Sequence, residues 1–272
     1  MPKLIPISDL SDNRLCHYVD IRQARAASSS TNQEHFVAEG RHVVRRLIDS
    51  NFDLESVLIE ADKEEPLIAS LPEHVPVYTM SREQSNHVVG FEFHRGILAC
   101  GCRQPRKQID EYLRAGQPQR SVAIGMLGIS DQENMGGMLR TAAALGIDHV
   151  LLGPKTIDPF SRRVIRVSMA TVFKHQFYHL NDNVSDLASI AESGVQTIAS
   201  TLDSAALSLS EFQRDDRPVL LLVGNESRGI ERDVQAVADV QVRIPMQLGT
   251  DSLNVGTAAA ILMYELKRGL LE

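Results

Sequence analysis

Short apolar runs alternate with amphipathic helical stretches from residue 121 to the end of the chain. Every residue of the run PVLLLV at 218–223 is apolar, which is typical of a strand that is buried on both faces. Strands that alternate with helices in this way predict a parallel sheet with helices on both faces. The predicted strands cover residues 121–127, 149–152, 174–178, 195–199, 218–223 and 241–244. The predicted helices cover residues 135–145, 161–167, 184–191 and 252–266.

The chain before residue 121 is predicted to form a smaller α/β domain. Strands are expected at residues 56–59, 75–78 and 96–101. A helix is expected at residues 34–50, because Phe36, Val37, Val43, Val44, Leu47 and Ile48 recur at helical spacing. The predicted organisation is a polar, irregular N-terminal extension at 1–32, a small α/β domain at 33–104, a linker at 105–120 with one short helix at 109–115, and the main domain at 121–272.

Charge and cysteine content restrict the class of protein. The 272 residues carry a net charge of −7, which is unusual for a purely electrostatic nucleic-acid binder, although a local basic patch can still hold phosphates. We find neither a secretory signal nor a membrane-spanning run and therefore expect a cytoplasmic protein. Cys100 and Cys102 form a C-x-C pair with no second Cys/His pair at zinc spacing, so we interpret them as small strand residues, while Cys16 stands alone.

Three loops that follow predicted strands are rich in small and polar residues. They cover residues 131–140, 223–229 and 244–255. Ligands of parallel α/β sheets bind beyond the carboxyl ends of the strands, so three such loops predict one shared site. The loops contain no G-x-x-x-x-G-K-[ST], G-x-G-x-x-G or G-x-S-x-G sequence, which argues against a P-loop NTPase, a dinucleotide-dependent dehydrogenase and an α/β-hydrolase.

The same loops carry a family resemblance. Residues 134–142 (NMGGMLRTA), 224–229 (GNESRG), and 244–246 (IPM) followed by 252–255 (SLNV) resemble, in order and spacing, three motifs of the SpoU/TrmH family of RNA methyltransferases. Residues 36–40 (FVAEG) and 94–99 (HRGILA) resemble the family's small RNA-binding domain, which is similar to certain ribosomal proteins. The chain departs from the family pattern at Gln132, Ala170 and Gly256.

The resemblance implies an activity and a fold. The implied reaction transfers a methyl group from S-adenosylmethionine to a ribose 2′-hydroxyl of ribosomal or transfer RNA. The implied fold is an α/β domain whose C-terminal segment forms a trefoil knot, and the implied assembly is a homodimer through this domain. The reaction needs no metal, the sequence shows no evident ligand cluster, and we expect no membrane partner.

The resemblance also assigns candidate residues. Arg140 would hold a phosphate or ribose and favour the developing alkoxide, since a guanidinium stays protonated and is a poor base. Other catalytic candidates are Asn134, Glu226, Ser252 and Asn254, which would orient the substrate or fix the loops. The cofactor candidates are Val223, Gly224, Asn225, Gly229, Ile244, Met246 and Leu253. The RNA-binding candidates are Arg41, Arg45 and Arg46 in one cluster and Arg162, Arg163 and Arg166 in another, which we expect to lie closer to the catalytic site.

Three alternative functions remain at this point. A related knotted methyltransferase could modify a base nitrogen, but the presence of Asn134, Arg140 and the SLNV run argues against it. A non-catalytic RNA-binding or ribosome-assembly factor could keep the fold, although the motif residues are intact. A dehydrogenase is disfavoured by the missing dinucleotide fingerprint. Binding of S-adenosylmethionine would separate the methyltransferases from the other two.

Overall fold

The computed structural model describes residues 2–19, 34–61, 66–94, 96–268 and 270. The chain forms two compact units. The first, which we call the N-unit, comprises Met1–Pro105 and Asp158–Phe173. The second, the C-unit, comprises Arg106–Ile157 and Lys174–Glu272. In the part of the chain that the structure describes, every helix is too short or too polar to span a bilayer.

The N-unit contains a five-stranded mixed sheet with the order β1-β4-β3-β5-β2. Strand β4 pairs in parallel with β1 and β3, and β5 pairs antiparallel with β2 and β3. The strands are β1 (Leu4–Pro6), β2 (His35–Glu39), β3 (Leu54–Glu60), β4 (Val77–Met80) and β5 (Ile97–Cys102). The α-helices of this unit are α1 (Arg41–Ile48), α2 (Arg82–Val89) and, from its second segment, α5 (Arg162–Val167).

The prediction of one helix over residues 34–50 is wrong in its first part. His35–Glu39 forms β2, which pairs with β5, and the helix begins only at Arg41. Gly40 separates the two elements with a φ of 91°, a conformation that glycine adopts at little cost. The apolar residues of this stretch fit a strand as well as a helix, and pairing with β5 decides between them.

The prediction of an irregular extension over residues 1–32 is also wrong for residues 2–19. Strand β1 lies at the edge of the sheet, and a short 3₁₀ helix follows at Asn13–Leu15. Leu15 and Tyr18 are fully buried, and the Tyr18 hydroxyl lies 2.8 Å from the Ser56 hydroxyl. The segment therefore contributes to the core of the N-unit. The rest of the predicted extension, Met1 and residues 20–32, lies outside the described residues.

The segment Asp158–Phe173 packs within the N-unit, although the sequence placed it in the domain at 121–272. Arg162 forms an ion pair of 2.6 Å with the buried carboxylate of Glu39. Arg103 binds both carboxylate oxygens of Asp158, at 2.8 and 2.6 Å. The Phe160 ring also stacks on Phe36. These contacts join residues far apart in sequence, so local periodicity could not reveal them.

The C-unit contains an eight-stranded sheet in which every strand pair is parallel. Its order is β11-β13-β10-β12-β7-β8-β9-β6. The strands are β6 (Lys107–Gln108), β7 (Val122–Leu127), β8 (His149–Leu152), β9 (Gln176–His179), β10 (Gln196–Ser200), β11 (Leu207–Ser208), β12 (Val219–Gly224) and β13 (Val240–Arg243). The helices are α3 (Ile109–Ala115), α4 (Gln132–Ala144), α6 (Asn183–Glu192), α7 (Arg232–Val237) and α8 (Val255–Lys267).

Helices cover both faces of this sheet. On one face, Leu220 and Leu222 of β12 share a core cluster with residues from α3, α6 and α7. Leu221 points to the other face and is fully buried, and there α8 packs on β7 and β12 and against α4. The prediction of a parallel α/β domain is confirmed. The predicted linker at 105–120 instead supplies β6 and α3, whose Ile109 and Tyr112 are buried in the core.

Candidate functional site

A cavity of about 380 Å³ lies at the carboxyl ends of β10, β12 and β13 in the C-unit. Its walls come largely from the loops that follow these strands and from α8. Ile244, Met246 and Leu253 provide apolar surface, while Asp203 and Asn225 provide polar groups. This volume falls in the range of small-molecule and cofactor sites in proteins. The edge is the one at which parallel α/β sheets bind their ligands.

The second motif forms a tight turn at this cavity. Asn225 and Gly229 pair through two backbone hydrogen bonds, of 3.1 and 2.8 Å. The Asn225 side-chain oxygen accepts from the backbone N–H groups of Ser227 and Arg228 inside the turn. A Cβ at Gly224 would lie 2.3 Å from the carbonyl carbon of Gly229, so only glycine fits at position 224. Because Gly224 has no Cβ, the backbone of Gly229 and Ile230 can pack directly against it.

Glu226 fastens the second motif to the first. One carboxylate oxygen accepts from the backbone N–H of Asp131 at 3.1 Å and from the side-chain amide of Asn134 at 3.2 Å. The other accepts from the backbone N–H and the hydroxyl of Ser130 at 3.2 and 3.0 Å, and from the side-chain amide of Asn225 at 3.3 Å. Burial alone raises the pKa of this carboxyl, but the hydrogen bonds outweigh burial and hold the pKa below its ordinary value. Glu226 is therefore an ionised acceptor at neutral pH.

Asn254 joins the third motif to the same group. Its amide nitrogen donates to the side-chain oxygen of Asn134 at 2.8 Å. Its own side-chain oxygen accepts from the backbone N–H groups of Gly256 and Thr257 and so caps the N-terminus of α8. The side-chain amide of Asn134 is thus held from both sides, by Glu226 and by Asn254. We call this arrangement the Glu226–Asn134–Asn254 chain.

The structure brings together four of the five predicted catalytic residues. Glu226, Asn134 and Asn254 form the hydrogen-bonded chain, and the exposed Ser252 lines the cavity beside them. Arg140 stands apart. It lies six residues after Asn134 on α4, is exposed, and does not line the cavity. Six residues along an α-helix rotate a side chain by about 600°, so Asn134 and Arg140 point about 120° apart. Among the described residues, nothing forms a hydrogen bond or an ion pair with the Arg140 guanidinium.

Most of the predicted cofactor residues line the cavity. They are Gly224, Asn225, Gly229, Ile244, Met246 and Leu253. Val223 does not, because it lies inside β12 and is 1% exposed. Two parts of the wall were not predicted from the sequence. One is Ser200 at the end of β10 with the loop that follows it, Thr201, Leu202 and Asp203, and the other is the surface of α8 at Val255, Ala258 and Leu262. The polar residues directly after the predicted strand at 195–199 were the available signal for this loop.

Both arginine clusters lie in the N-unit. Arg41, Arg45 and Arg46 are exposed on α1, where Arg45 donates to the Ser70 hydroxyl and Arg46 to the Met169 carbonyl oxygen. Arg162 has a different role. Its guanidinium is paired with Glu39 and lies 3.9 Å from the centre of the Phe91 ring, so it is held by the core of the N-unit. Arg163 and Arg166 are half-buried on the same short helix.

The fold and the cavity define an α/β protein that binds a small ligand at the carboxyl edge of a parallel sheet, with three loops tied together beside it. Residues 121–264, more than half of the chain, match the model of the SpoU rRNA Methylase family. The chain belongs to this family and is an RNA methyltransferase of the SpoU/TrmH class. The resemblance seen in the three motifs is confirmed.

Similarity to individual proteins extends over almost the whole chain. An uncharacterized tRNA/rRNA methyltransferase of Mycobacterium tuberculosis is 34% identical over 270 residues, which cover 96% of this chain and 91% of that protein. The 23S rRNA (guanosine(2553)-2′-O)-methyltransferase RlmP of Bacillus subtilis is 26% identical over 248 residues, which cover 91% and 94%. The AdoMet-bound rRNA methyltransferase of Sinorhizobium meliloti has the same fold, with a TM-score of 0.81, 23% identity and 99% of each chain covered.

Proposed function

We propose that this chain transfers a methyl group from S-adenosylmethionine to a ribose 2′-hydroxyl of a structured RNA, either ribosomal or transfer RNA. The observation that carries the proposal is the Glu226–Asn134–Asn254 chain, which ties all three motifs together beside Ser252 and the cavity. The similarity to the Bacillus subtilis 2′-O-methyltransferase supports the ribose as the acceptor. RNA substrates of this kind favour action in the cytoplasm.

The cavity fits the cofactor by size and by the chemistry of its walls. Ile244, Met246 and Leu253 give apolar surface for a purine ring and a methionine chain, and the exposed backbone of the Asn225–Gly229 turn gives polar groups for a ribose. When bound, S-adenosylmethionine supplies an electrophilic methyl carbon. The protein's task is then to hold the ribose hydroxyl in line with that carbon, which by itself removes a large part of the barrier.

The remaining catalytic roles concern the hydroxyl and its proton. Ser252 lies at the cavity with an exposed hydroxyl and positions the ribose. Arg140 supplies a guanidinium cation that holds an RNA phosphate and stabilises the developing alkoxide, the role that the family resemblance implies for it. The Glu226–Asn134–Asn254 chain keeps the loop that carries Ser252 in a fixed arrangement with the first turn of α4.

Assembly and RNA contact complete the proposal. The protein forms a homodimer through the C-unit, and the exposed Ile261 and Tyr264 of α8 offer apolar surface for the second subunit. The C-terminal segment of this unit forms a trefoil knot, as the family resemblance implies. Arg41, Arg45 and Arg46, together with Arg163 and Arg166, contact RNA phosphates. Arg162 is excluded from this role because Glu39 holds it.

Nucleoside analysis tests the proposed reaction. The purified protein, S-adenosylmethionine and ribosomal or transfer RNA from cells that lack the protein should yield 2′-O-methylnucleosides on digestion and mass spectrometry. Glu226→Gln should weaken transfer, because an amide cannot accept all five hydrogen bonds as a carboxylate does. Glu231→Gln is the matched control, since Glu231 is exposed and makes no side-chain cap hydrogen bond. Base-methylated nucleosides would contradict the proposal, and cofactor binding without any transfer would favour a non-catalytic factor.

A further inference from the structure

Three side chains of the N-unit sheet place metal-binding atoms close together. An imidazole nitrogen of His35, a carboxylate oxygen of Glu55 and the sulfur of Cys102 all lie within 4.8 Å of one another. This group is made only of N-unit residues and shares none with the cavity of the C-unit. The function proposed above leaves it unused.

The backbone of the sheet fixes this grouping. His35 of β2 and Cys102 of β5 are directly paired in the antiparallel ladder, so their side chains lie on the same face as neighbours. Glu55 comes from β3, on the other side of β5, where the pairing register shifts between Leu54 and Ser56. That irregularity leaves Glu55 exposed between two paired positions. Three adjacent strands therefore each supply one donor.

His17 lies beside this group and offers a further imidazole. It lies just after the short 3₁₀ helix Asn13–Leu15, and its ring centre is 4.2 Å from the ring centre of His35. The neighbouring Tyr18 is fully buried and bound to Ser56, so the backbone that carries His17 is anchored to the same sheet. Two imidazoles, one thiolate and one carboxylate form a ligand set of the type that tetrahedral zinc sites use.

These donors have no competing partners in the described part of the chain. No described lysine or arginine forms an ion pair with Glu55, and no described side chain forms a hydrogen bond with Cys102 or with the rings of His17 and His35. A carboxylate without a cationic partner, next to imidazole nitrogens and a thiol sulfur, is the arrangement that a divalent cation completes.

We propose that His35, Glu55 and Cys102 bind a divalent cation of the zinc class, with His17 as the fourth ligand. On binding, the Cys102 thiol releases its proton to solvent and the thiolate coordinates the cation. The bound cation would join β2, β3 and β5 to the N-terminal segment. The sequence shows no evident ligand cluster, because these residues stand at positions 17, 35, 55 and 102 and only the folded sheet brings them together.

Cobalt is the probe that tests the proposal. Full-length protein treated with a chelator is titrated with Co²⁺ and then with Zn²⁺ as a competitor. We expect one Co²⁺ per chain, a thiolate-to-cobalt charge-transfer absorption, displacement by Zn²⁺, and a rise in melting temperature with Zn²⁺ by mass action. Cys102→Ser should abolish the charge-transfer absorption. His17→Ala, His35→Ala and Glu55→Gln should each weaken binding by about tenfold or more.

Two matched variants separate this site from adventitious binding. Cys16→Ser removes an exposed thiol next to His17, and His42→Ala removes an exposed imidazole on α1, and both should bind Co²⁺ as the wild type does. The proposal is overturned if the wild type shows no charge-transfer absorption, or if the absorption survives Cys102→Ser and is lost in Cys16→Ser. Glu55 is exposed, so Glu55→Gln should keep the fold even if a cysteine variant unfolds. An unchanged affinity of Glu55→Gln for Co²⁺ also overturns the proposal.

Discussion

Gly224→Ala tests whether the turn at the cavity depends on its glycine. A Cβ at position 224 would lie 2.3 Å from the carbonyl carbon of Gly229 and 2.4 Å from the backbone nitrogen of Ile230. Carbon atoms in contact prefer separations of about 3.5 Å or more, so the backbone of the turn must retreat by roughly 1 Å. That movement breaks the paired hydrogen bonds between Asn225 and Gly229 and shifts the wall of the cavity.

The expected cost is that of overpacking a tight site, about 2 kcal/mol. For a chain of this size, such a loss lowers the melting temperature by roughly 4–8 °C. We expect the affinity for S-adenosylmethionine, measured by isothermal calorimetry, to fall about tenfold or more, which corresponds to a loss of about 1.4 kcal/mol. The displaced backbone belongs to the wall of the proposed cofactor site, so stability and affinity should fall together.

Gly137→Ala is the matched control for this experiment. Gly137 lies inside α4, and a Cβ there would meet nothing within 4 Å. Alanine in a helix interior is favoured over glycine by about 0.5–1 kcal/mol, so this variant should melt at or above the wild-type temperature and bind the cofactor normally. Wild-type melting and wild-type cofactor affinity in Gly224→Ala would refute the role that we assign to the close approach at position 224.

Three further predictions concern charged side chains. Arg140→Ala should bind S-adenosylmethionine normally but lose about 10²-fold or more in single-turnover methyl transfer, and Arg140→Lys should restore little; near-wild-type transfer would contradict the assignment. Glu226→Gln should lower the melting temperature at pH 7. The difference in melting temperature from the wild type should shrink as the pH falls below 4.5, the ordinary pKa of this carboxyl. The hydrogen bonds hold the pKa of Glu226 below that value, and the carboxyl stabilises the fold only while it is ionised. Arg162→Met should leave the buried Glu39 carboxylate unpaired and so lower the free energy of unfolding of the N-unit, measured with denaturant, by about 3 kcal/mol. Adding Glu39→Gln should recover part of that loss. A loss no larger than that of an exposed ion pair would contradict the prediction.

The sequence predicted the C-unit more accurately than the N-unit. The strand at His149–Leu152 and the helix at Ile109–Ala115 have the bounds that their local patterns indicate. Strands of a parallel sheet are buried on both faces, so each reads as a continuous apolar run between polar loops. The N-unit gave weaker signals for two reasons. Its strand β1 has only three residues, and β2 is separated from α1 by a single glycine, so the apolar residues of both elements read as one helical pattern.

The candidate site was partly predictable for a related reason. Each motif is a short run whose residue types are visible in the sequence, and the parallel topology places all three at one edge. The hydrogen bonds between the motifs were not predictable, since Asn134 is 92 positions from Glu226 and 120 from Asn254. The loop after β10 was missed because Thr201 and Asp203 belong to no motif, although they line the same cavity.

The sequence by itself determined the elements of the C-unit, the residue types of its three motifs and the family to which the chain belongs. Tertiary structure alone decided that Glu226 accepts from Asn134, that Arg162 pairs with Glu39 rather than remaining available to RNA, and that His35, Glu55 and Cys102 lie together. The physical reason is the separation in sequence of the residues that make each contact. Periodicity records which side of a local element is buried, whereas these contacts join distant parts of the chain and exist only after the strands have paired.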